Sequence, residues 1–464
     1  MPEKYPVSLF IFRRDFRLQD NSGLISALES SEKVIPSFIF DPRLLDTDQR
    51  NENAIQFLLE SLKDLEQQLS KNNGRLYVFY DRPEKILNQL LKIGIIKSVF
   101  VNRDYTVFSK KRDNRLKDIC QKNDITFNQY ADSLLNEPEM VLKADKAPYQ
   151  VFTPYYRKAS QISVSEPSEN TYTNYYTSTI PIEESKKAYQ EVLKKPNEFS
   201  AVHGGRTNGL KILKTLEMYL NYEIDRDYPS KQGTTKLSAH IKLGTCSIRE
   251  IYHAIKKQIG SDHPLIRQLY WRDFFTQIAF YFPYVFKKSF RKNYEKLPWR
   301  NDPDQFKAWC EGRTGFPIVD AGMRELNTTG YMHNRIRMII ASFLTKDLHI
   351  DWRWGERYFA RKLIDYDPCV NNGNWQWAAS TGCDAQPYFR IFNPWLQQKK
   401  YDSSCEYIKK WIPELKEISN KLIHTLFKQE EAQVQNYPPP IVDHSVESRL
   451  SKEIYRNHVN SLHI

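Results

Sequence analysis

Apolar residues in the first part of the chain fall into short continuous runs separated by helical stripes. The runs cover residues 7–12, 34–40, 75–80, 98–102 and 125–129. The clearest stripe repeats at helical spacing and consists of Ile55, Leu58, Leu62, Leu65 and Leu69. Continuous apolar strands that alternate with helices are typical of a parallel sheet covered on both faces. We therefore predict an α/β domain, doubly wound and Rossmann-like, over residues 1–130.

The second half of the chain shows helical stripes with few strand-like runs. The stripes cover residues 205–222, 236–259, 263–282, 317–328, 332–345 and 353–363. Between residues 160 and 200 the chain is instead rich in Ser, Thr, Asn and Tyr and has no clean period, which is typical of a connector. The pattern predicts a connector over residues 131–202 and an all-helical domain over residues 203–464.

Composition narrows the classes of protein that fit this pattern. A chain of 464 residues is long enough for two or three domains, and its formal net charge of +12 favours an acidic partner such as nucleic acid. Six cysteines without a CxxC pair indicate reduced thiols. No stretch approaches the ~20 apolar residues of a membrane span, and no signal peptide is recognisable. We expect a protein of the cytoplasm, or of the nucleoid or nucleus where DNA lies, that is not secreted.

The densest chemistry lies in residues 365–394. Its first thirteen residues include two carboxylates, two adjacent asparagines and two indoles, namely Asp365, Asp367, Asn371, Asn372, Trp375 and Trp377. An EF-hand loop is excluded because its sixth and twelfth positions hold Val370 and Gln376 instead of Gly and Glu. A zinc site is excluded because no His lies near Cys369 or Cys383. The remaining interpretation is a polar, aromatic-walled site for a planar, hydrogen-bonding ring system.

A phosphate site is the second chemical feature of interest. No GxGxxG motif occurs, and the P-loop-like residues 204–209 are followed by Leu210 rather than Lys. Residues 233–238 (GTTKLS) instead place two hydroxyl side chains and a lysine at the start of a helical stripe. The free N–H groups and the positive end of a helix favour phosphate there, and an ordinary threonine N-cap is the alternative.

Three long segments together resemble one protein family. Residues 365–394 resemble the flavin-binding signature of the photolyase/cryptochrome family, and in detail that of the class I cyclobutane pyrimidine dimer photolyases. Residues 9–24 (LFIFRRDFRLQDNSGL) resemble the opening strand of the family, and residues 331–359 resemble the stretch that leads into the signature. The resemblance implies a light-dependent DNA-repair lyase in which reduced FAD, once excited, passes an electron to a pyrimidine dimer flipped out of the duplex.

The same resemblance implies which residues hold FAD. They are Tyr222, Thr234, Thr235, Lys236, Leu237, Ser238, Arg337, Asp365, Tyr366, Asp367 and Asn371. Arg337 and Asp365 match a pair beside the isoalloxazine ring, although a purely structural ion pair is the alternative. Asn371 matches the asparagine that faces flavin N5. Plant cryptochromes carry an acid at that position, so Asn371 favours repair over signalling.

Electron transfer to the flavin is implied by three tryptophans. Trp375, Trp352 and Trp299 match the reductive relay of the family, from the residue nearest the flavin to the residue at the surface. A packing role is the alternative for any one of them. The relay would restore reduced flavin and would not take part in the repair step itself.

The resemblance also implies how damaged DNA is held. Gln268, Trp271, Asn334, Met338 and Trp377 match residues that touch the lesion, and the candidates for phosphate are Arg226, Arg272, Arg335 and Arg390. A solvated surface charge is the alternative for each arginine. Class I enzymes carry Glu where this chain has Gln268. Relatives that repair pyrimidine–pyrimidone products also carry Gln there, but with a His pair where this chain has Met332-His333-Asn334-Arg335. The predicted substrate is therefore a cyclobutane dimer, bound by a monomer.

Many members of the family bind a second, light-harvesting chromophore in the N-terminal domain. Folate-binding members use an acid in the loop after the fourth strand, where this chain has Thr106. This difference argues against folate and leaves a deazaflavin, another flavin or no antenna. Three other functions stay open: repair of pyrimidine–pyrimidone products, a cryptochrome-type blue-light photoreceptor, and a non-catalytic nucleic-acid-binding protein. No metal site is expected.

Overall fold

The computed structural model describes residues 4–45, 47–48, 50–182, 192–428 and 434–460, with the side chains of residues 459–460 left out. The chain divides into two compact units. The first contains residues 1–197, 202–218 and 236–281, and the second contains residues 198–201, 219–235 and 282–464. Residues 183–191 of the predicted connector and residues 461–464 of the predicted helical domain lie outside the described part of the chain.

A five-stranded parallel sheet forms the centre of the first unit. Its strands are β1 (Tyr5–Phe12), β2 (Ser31–Phe40), β3 (Tyr77–Tyr80), β4 (Ser98–Asn102) and β5 (Thr126–Tyr130). The strand order is β3-β2-β1-β4-β5, and every neighbouring pair is parallel. From β1 the chain adds β2 and β3 on one side of the sheet. It then crosses to the other side of β1 and adds β4 and β5. The predicted doubly wound sheet is confirmed, and its topological switch point lies between β1 and β4.

Helices lie between these strands along the chain and continue beyond the last strand to residue 281. They are α1 (Ser22–Ser30), α2 (Pro42–Leu45), α3 (Glu52–Lys71), α4 (Pro83–Ile93), α5 (Val107–Lys122), α6 (Phe152–Ala159), α7 (Arg206–Leu213), α8 (Tyr222–Asp225), α9 (Ser238–Leu243), α10 (Ile248–Ile259) and α11 (Pro264–Tyr281). All except α8 belong to the first unit. Four members of the predicted stripe on α3 are buried, namely Ile55, Leu62, Leu65 and Leu69, whereas Leu58 is half-buried. Asn51 caps the helix.

The described residues of the second unit form helices and short 3₁₀ turns without any strand. Its longer chain segment contains α12 (Pro303–Glu311), α13 (Pro317–Thr329), α14 (Asn334–Lys346), α15 (Trp352–Lys362), α16 (Pro368–Ala378), α17 (Pro394–Tyr401), α18 (Glu406–Trp411), α19 (Asn420–Ile423) and α20 (His444–Asn460). One apolar cluster is shared by α12 to α18 and includes three fully buried or nearly buried tryptophans, Trp309, Trp352 and Trp375. The predicted all-helical character is confirmed.

Two further observations complete the fold. No helix in the described part of the chain is long and apolar enough to cross a membrane. The compact units group residues 202–218 and 236–281 with the sheet, whereas the sequence pattern placed boundaries at residues 130 and 203. The compact units reflect how residues pack in space, whereas the predicted boundaries follow changes in the sequence pattern. The boundaries at residues 130 and 203 therefore remain predictions.

Candidate active site

The head of α16 concentrates the polar residues predicted from the sequence. Asp367 is the N-cap, and its Oδ1 accepts hydrogen bonds from the N–H groups of Cys369 (3.0 Å) and Val370 (3.3 Å). Pro368 occupies the first helical position, where its missing N–H costs nothing. The helix therefore begins where the sequence dictates. Its buried face carries the side chains of Asn371, Asn372, Trp375 and Gln376.

The ion pair that the sequence predicted is present beside this helix. Arg337 on α14 approaches Asp365 with an Nη2–Oδ2 distance of 3.0 Å, and its Nε donates to the carbonyl of Met332 at 2.8 Å. Its guanidinium also lies 5.2 Å from the ring centroid of Tyr331. Burial alone would lower the pKa of Arg337, but Asp365 and Tyr331 raise it overall. The arginine therefore stays charged and holds the Asp365 carboxylate in one orientation.

A second interaction orients Asn371 and was not predicted. The Nδ2 of Asn371 donates to the backbone carbonyl of Glu356 at 3.2 Å and to its carboxyl Oε1 at 3.0 Å. Because both amide hydrogens are directed at Glu356, the amide oxygen of Asn371 points elsewhere and can accept a hydrogen bond. Burial raises the pKa of Glu356. No sequence pattern distinguishes Glu356, because it is one of several charged residues on α15.

The predicted phosphate turn has a constrained backbone. A Cβ at Gly233 would lie 2.7 Å from the carbonyl oxygen of Asp225, so only glycine fits there. Lys236 adopts a left-handed conformation with φ of 54°. Leu237 is the N-cap of α9 and makes no side-chain cap, so the threonine N-cap weighed from the sequence is not formed. Thr234 interacts with the hydroxyl of Tyr331 instead.

The three relay tryptophans share one hydrophobic cluster and differ in burial. Trp375 and Trp352 are 2% and 1% exposed, whereas Trp299 is partly exposed at the edge of the cluster. Gly355 makes room for the indole of Trp375, since a Cβ there would lie 2.1 Å from its Cη2. Trp309 is a fourth buried indole, with its ring centroid 6.2 Å from that of Trp375. Trp309 was not predicted as a functional residue, because no motif distinguishes it from a packing residue.

The predicted lesion and DNA residues of the first unit lie on α11. The ring of Trp271 stacks on Phe152 with centroids 3.6 Å apart and an interplanar angle of 8°. Arg272 donates to the carbonyl of Ser133 at 2.5 Å, and Gln268 reaches the carbonyl of Pro264 at 3.5 Å. One face of the Trp271 ring and one guanidinium nitrogen of Arg272 thus already contact other residues of the first unit.

The predicted lesion and DNA residues of the second unit lie on α14, on α16, directly after α8 and just before α17. Asn334 and Met338 are neighbours, with Nδ2 of the amide 3.8 Å from Sδ, as their spacing of four predicts. Arg335 pairs with Asp227 at 2.5 Å and stacks on Tyr401. Three other predicted residues in this unit are partly or fully exposed, namely Arg226, Trp377 and Arg390.

Comparison with known proteins identifies the family. The family model described as "DNA photolyase" matches residues 8–171, and the model described as "FAD binding domain of DNA photolyase" matches residues 265–457. A deoxyribodipyrimidine photo-lyase of Alkalihalophilus pseudofirmus is 39% identical over 96% of this chain and 97% of the relative. The chain belongs to the DNA photolyase family.

Solved structures of the family have the same fold. An archaeal photolyase from Sulfolobus tokodaii, described with two FAD molecules, is 40% identical, covers 97% of this chain and 100% of its own, and superposes with a TM-score of 0.87. A cryptochrome of Synechocystis sp. is 31% identical, covers 98% of this chain and 100% of its own, and gives a TM-score of 0.90. The predicted family, light-dependent DNA repair, photolyase activity and FAD cofactor are confirmed by these relatives.

The residues present in the second unit suit a flavin. The ring edge of a flavin carries one N–H donor between two carbonyl acceptors, and the cluster near α16 offers both carboxylates and a guanidinium. Asp365 and Arg337 form such a complementary pair at 3.0 Å, and Asn371 adds an oriented amide oxygen. The Asp365 side chain is 5% exposed and Asp367 is 7% exposed, so neither is an ordinary solvated surface charge. Buried carboxylates of this kind need hydrogen-bond or ionic partners. The donor set therefore fits the cofactor that the family model implies.

Proposed function

We propose that this photolyase splits cyclobutane pyrimidine dimers in UV-damaged DNA, using bound FAD. The observation that carries the proposal is the pairing of Arg337–Asp365 with the oriented amide of Asn371. When bound and reduced, FAD supplies the photoexcited electron, and this redox chemistry belongs to the cofactor. The proposed cofactor residues are the set predicted from the sequence: Tyr222, Thr234, Thr235, Lys236, Leu237, Ser238, Arg337, Asp365, Tyr366, Asp367 and Asn371.

Each polar residue near α16 has a separable task. Asp365 and Asp367 accept hydrogen bonds from the ring N–H and from groups near it, and Arg337 balances the charge that gathers there. Asn371 presents its amide oxygen at the N5 position of the ring because Glu356 holds the other end of the amide. Since the two aspartates are fixed before any ligand arrives, little side-chain freedom is lost on binding.

The relay Trp375, Trp352 and Trp299 is supported by its gradient of burial. We expect Trp299→Phe to block photoreduction of oxidised flavin while repair by chemically prereduced enzyme continues, because phenylalanine packs like an indole but is much harder to oxidise. Photoreduction is measured by flavin absorbance under illumination, and repair is measured as dimer splitting by the prereduced enzyme. Trp411→Phe is the matched control, since Trp411 is a partly buried member of the same cluster outside the relay. Normal photoreduction in Trp299→Phe would exclude the assignment.

Lesion binding is proposed for Gln268, Trp271, Asn334, Met338 and Trp377, and phosphate binding for Arg226, Arg272, Arg335 and Arg390. The structure ranks the arginines, because Arg390 is exposed whereas Arg335 and Arg272 already contact protein acceptors. Arg390→Ala should reduce the slope of log affinity against log salt by about 1. An unchanged slope would remove Arg390 from the set.

The decisive experiment is repair of a duplex containing one thymine dimer by reduced protein, in light and in darkness. Restoration only in light supports the proposal. If no restoration occurs although reduced flavin is bound, a pyrimidine–pyrimidone substrate takes precedence, because Gln268 favours it. If that lesion also survives, the photoreceptor function is favoured, in line with the cryptochrome neighbour.

We further propose that the second chromophore is a flavin in the α/β domain. Thr106 is the N-cap of α5, and its Oγ1 accepts a hydrogen bond from the N–H of Ser109 at 3.2 Å, so this position offers a helix cap and no carboxylate to a folate. The structure from Sulfolobus tokodaii, at 40% identity, is described with two FAD molecules. In this proposal residues 1–130 form the antenna domain, 131–202 the connector and 203–464 the catalytic domain of a monomer that acts where DNA lies.

A further inference from the structure

The indole of Trp271 is supported by a helix that no sequence pattern connects with the lesion. This helix is α6, and its first residue, Phe152, stacks on the indole with ring centroids 3.6 Å apart and an interplanar angle of 8°. Two rings this close and this parallel overlap nearly face to face, whereas aromatic pairs more often pack offset or edge-on. Trp271 is nevertheless partly exposed. A ligand therefore reaches only the part of the indole that Phe152 does not cover.

Two further rings restrict the rotation of Trp271. Phe274 lies edge-on to the indole with centroids 5.8 Å apart and an angle of 82°, and Phe275 lies at 5.5 Å and 28°. Both belong to α11, the helix that carries Trp271 itself. Phe152 is the ring contributed by another segment of the chain, so its contact fixes the indole relative to the rest of the first unit.

Phe152 is itself held firmly. It is 1% exposed, and the rings of Tyr156 and Phe274 lie 5.8 and 5.7 Å from its centroid. The guanidinium of Arg267 on α11 lies 5.3 Å from the centroids of both Phe152 and Tyr156, within the range of a cation–π contact. A ring packed in this way cannot turn without disturbing its neighbours. It gives Trp271 a rigid support.

A fixed indole favours one kind of ligand over another. A partly exposed side chain that is free to change rotamer loses this freedom when a ligand stacks on it, and the loss weakens binding. The stack on Phe152 removes that loss before any ligand arrives. A dimer flipped out of the duplex presents a flat face to the indole, whereas the bases of intact DNA stay stacked inside the helix. The advantage therefore applies to damaged DNA alone.

We propose that Phe152 is a positioning residue for the lesion. It holds the Trp271 ring in the plane that stacks on a flipped pyrimidine dimer, and it thereby increases the preference for damaged over intact DNA. The inference rests on the proposed function, because it takes Trp271 as the residue that stacks on the lesion. It gives α6, which lies within residues 131–202, a part in substrate recognition.

The test measures dissociation constants in darkness for a duplex with one thymine dimer and for the same duplex without it. Phe152→Leu keeps an apolar side chain but removes the ring. We expect affinity for the dimer to fall about tenfold and affinity for intact DNA to stay unchanged, since only the stacked ligand uses the fixed indole. An unchanged preference for the dimer would overturn the proposal.

Tyr155→Leu is the matched control on the same helix. Tyr155 is also 1% exposed and also packs on Phe274, with centroids 5.3 Å apart, but in the described part of the chain it makes no ring contact with Trp271. This variant loses a buried ring and should keep the preference for the dimer. If it loses as much preference as Phe152→Leu, α6 acts through general packing and the proposal is wrong. Should Phe152→Leu fail to fold, Phe152→Met, whose flexible side chain fills irregular gaps, is judged by the same two outcomes.

A double-mutant cycle tests whether Phe152 acts through Trp271. In the background of Trp271→Leu, Phe152→Leu should cause no further loss of affinity for the dimer, because the indole that it positions is already absent. An equal loss of about tenfold in both backgrounds would show that the two residues act independently. Such additivity would exclude the positioning role.

Repair kinetics separate binding from chemistry. The KM of prereduced Phe152→Leu for dimer DNA should rise, whereas its light-driven turnover at saturating DNA should match that of the wild type. A lower turnover at saturation would place Phe152 in the repair step and contradict the proposal.

Failure of this inference is distinguishable from failure of the proposed function. A wild-type protein that binds the dimer duplex no better than intact DNA contradicts the proposed lesion residues, whereas a wild-type preference that survives Phe152→Leu contradicts only the role of Phe152. The same titrations with a pyrimidine–pyrimidone duplex decide the question if that lesion proves to be the substrate.

Discussion

Two arginines on different helices show opposite electrostatic behaviour. Arg337 on α14 has its own carboxylate, Asp365, and its pKa is raised despite burial. Arg112 on α5 shares the Asp113 carboxylate with Arg13, and burial together with Arg13 lowers its pKa. The first arginine is satisfied by the protein, whereas the second is surrounded by more positive charge than the protein neutralises. The difference separates an arginine whose charge the fold supports from one whose charge the fold disfavours.

The largest expected effect comes from breaking the satisfied pair. Arg337→Met leaves the Asp365 carboxylate, 5% exposed, without its cation and should lower the free energy of unfolding by about 3 kcal/mol. Denaturant titration measures this loss, and flavin absorbance measures FAD retention. Arg337→Met/Asp365→Leu should recover most of the stability but not FAD binding. If the double variant binds FAD normally, the pair is structural only.

A buried acid of the first unit gives the next effect. Asp273 accepts N–H bonds from Leu135 and Asn136 at 2.9 and 3.0 Å, and Arg272 stays 3.8 Å away. Burial raises the pKa of Asp273 to about 7. The folded state therefore binds a proton that the unfolded state has released, and this contribution is complete below about pH 4 and is lost as pH rises to 7.

Asp273→Asn should remove that dependence, because an amide keeps an acceptor oxygen and never ionises. The free energy of unfolding of the wild type should fall more steeply between pH 5 and pH 7.5 than that of the variant. Parallel curves for the two proteins would show that Asp273 titrates near its ordinary value.

The smallest effect is expected at the unsatisfied arginine. Arg112→Met replaces a cation whose charge is disfavoured, so the free energy of unfolding should change by no more than about 1 kcal/mol or rise. The same substitution is thus costly at residue 337 and nearly neutral at residue 112. Denaturant titration of the wild type and of Arg112→Met measures the difference. A loss of several kcal/mol at residue 112 would remove the contrast.

Local periodicity was enough to predict the sheet, the helical half and the α3 stripe, since burial follows spacing along one element. The Arg337–Asp365 pair was also predicted, but through the family resemblance. Glu356 was missed because its partner Asn371 lies on another helix, and no local pattern links them. The N-cap threonine near residue 234 was not formed, since Leu237 takes that position.

The stack of Phe152 on Trp271 illustrates the same limit in the first unit. Trp271 was predicted through the family resemblance, whereas Phe152 lies among the residues for which the sequence pattern predicts a connector. Only the packing of α6 against α11 brings the two rings together. Spacing therefore reveals which residues of one helix share a face, and tertiary structure decides what that face contacts.

The interleaved course of the chain has a consequence for biosynthesis. The first unit begins with the sheet but is completed only by residues 236–281, and the second unit draws on residues 198–201 and 219–235. A ribosome that adds about 5–20 residues per second needs roughly 8–30 s to synthesise the 150 or so residues between the last strand and the end of α11. During that interval the nascent sheet lacks its final helices, so translation speed and holdase chaperones become determinants of yield.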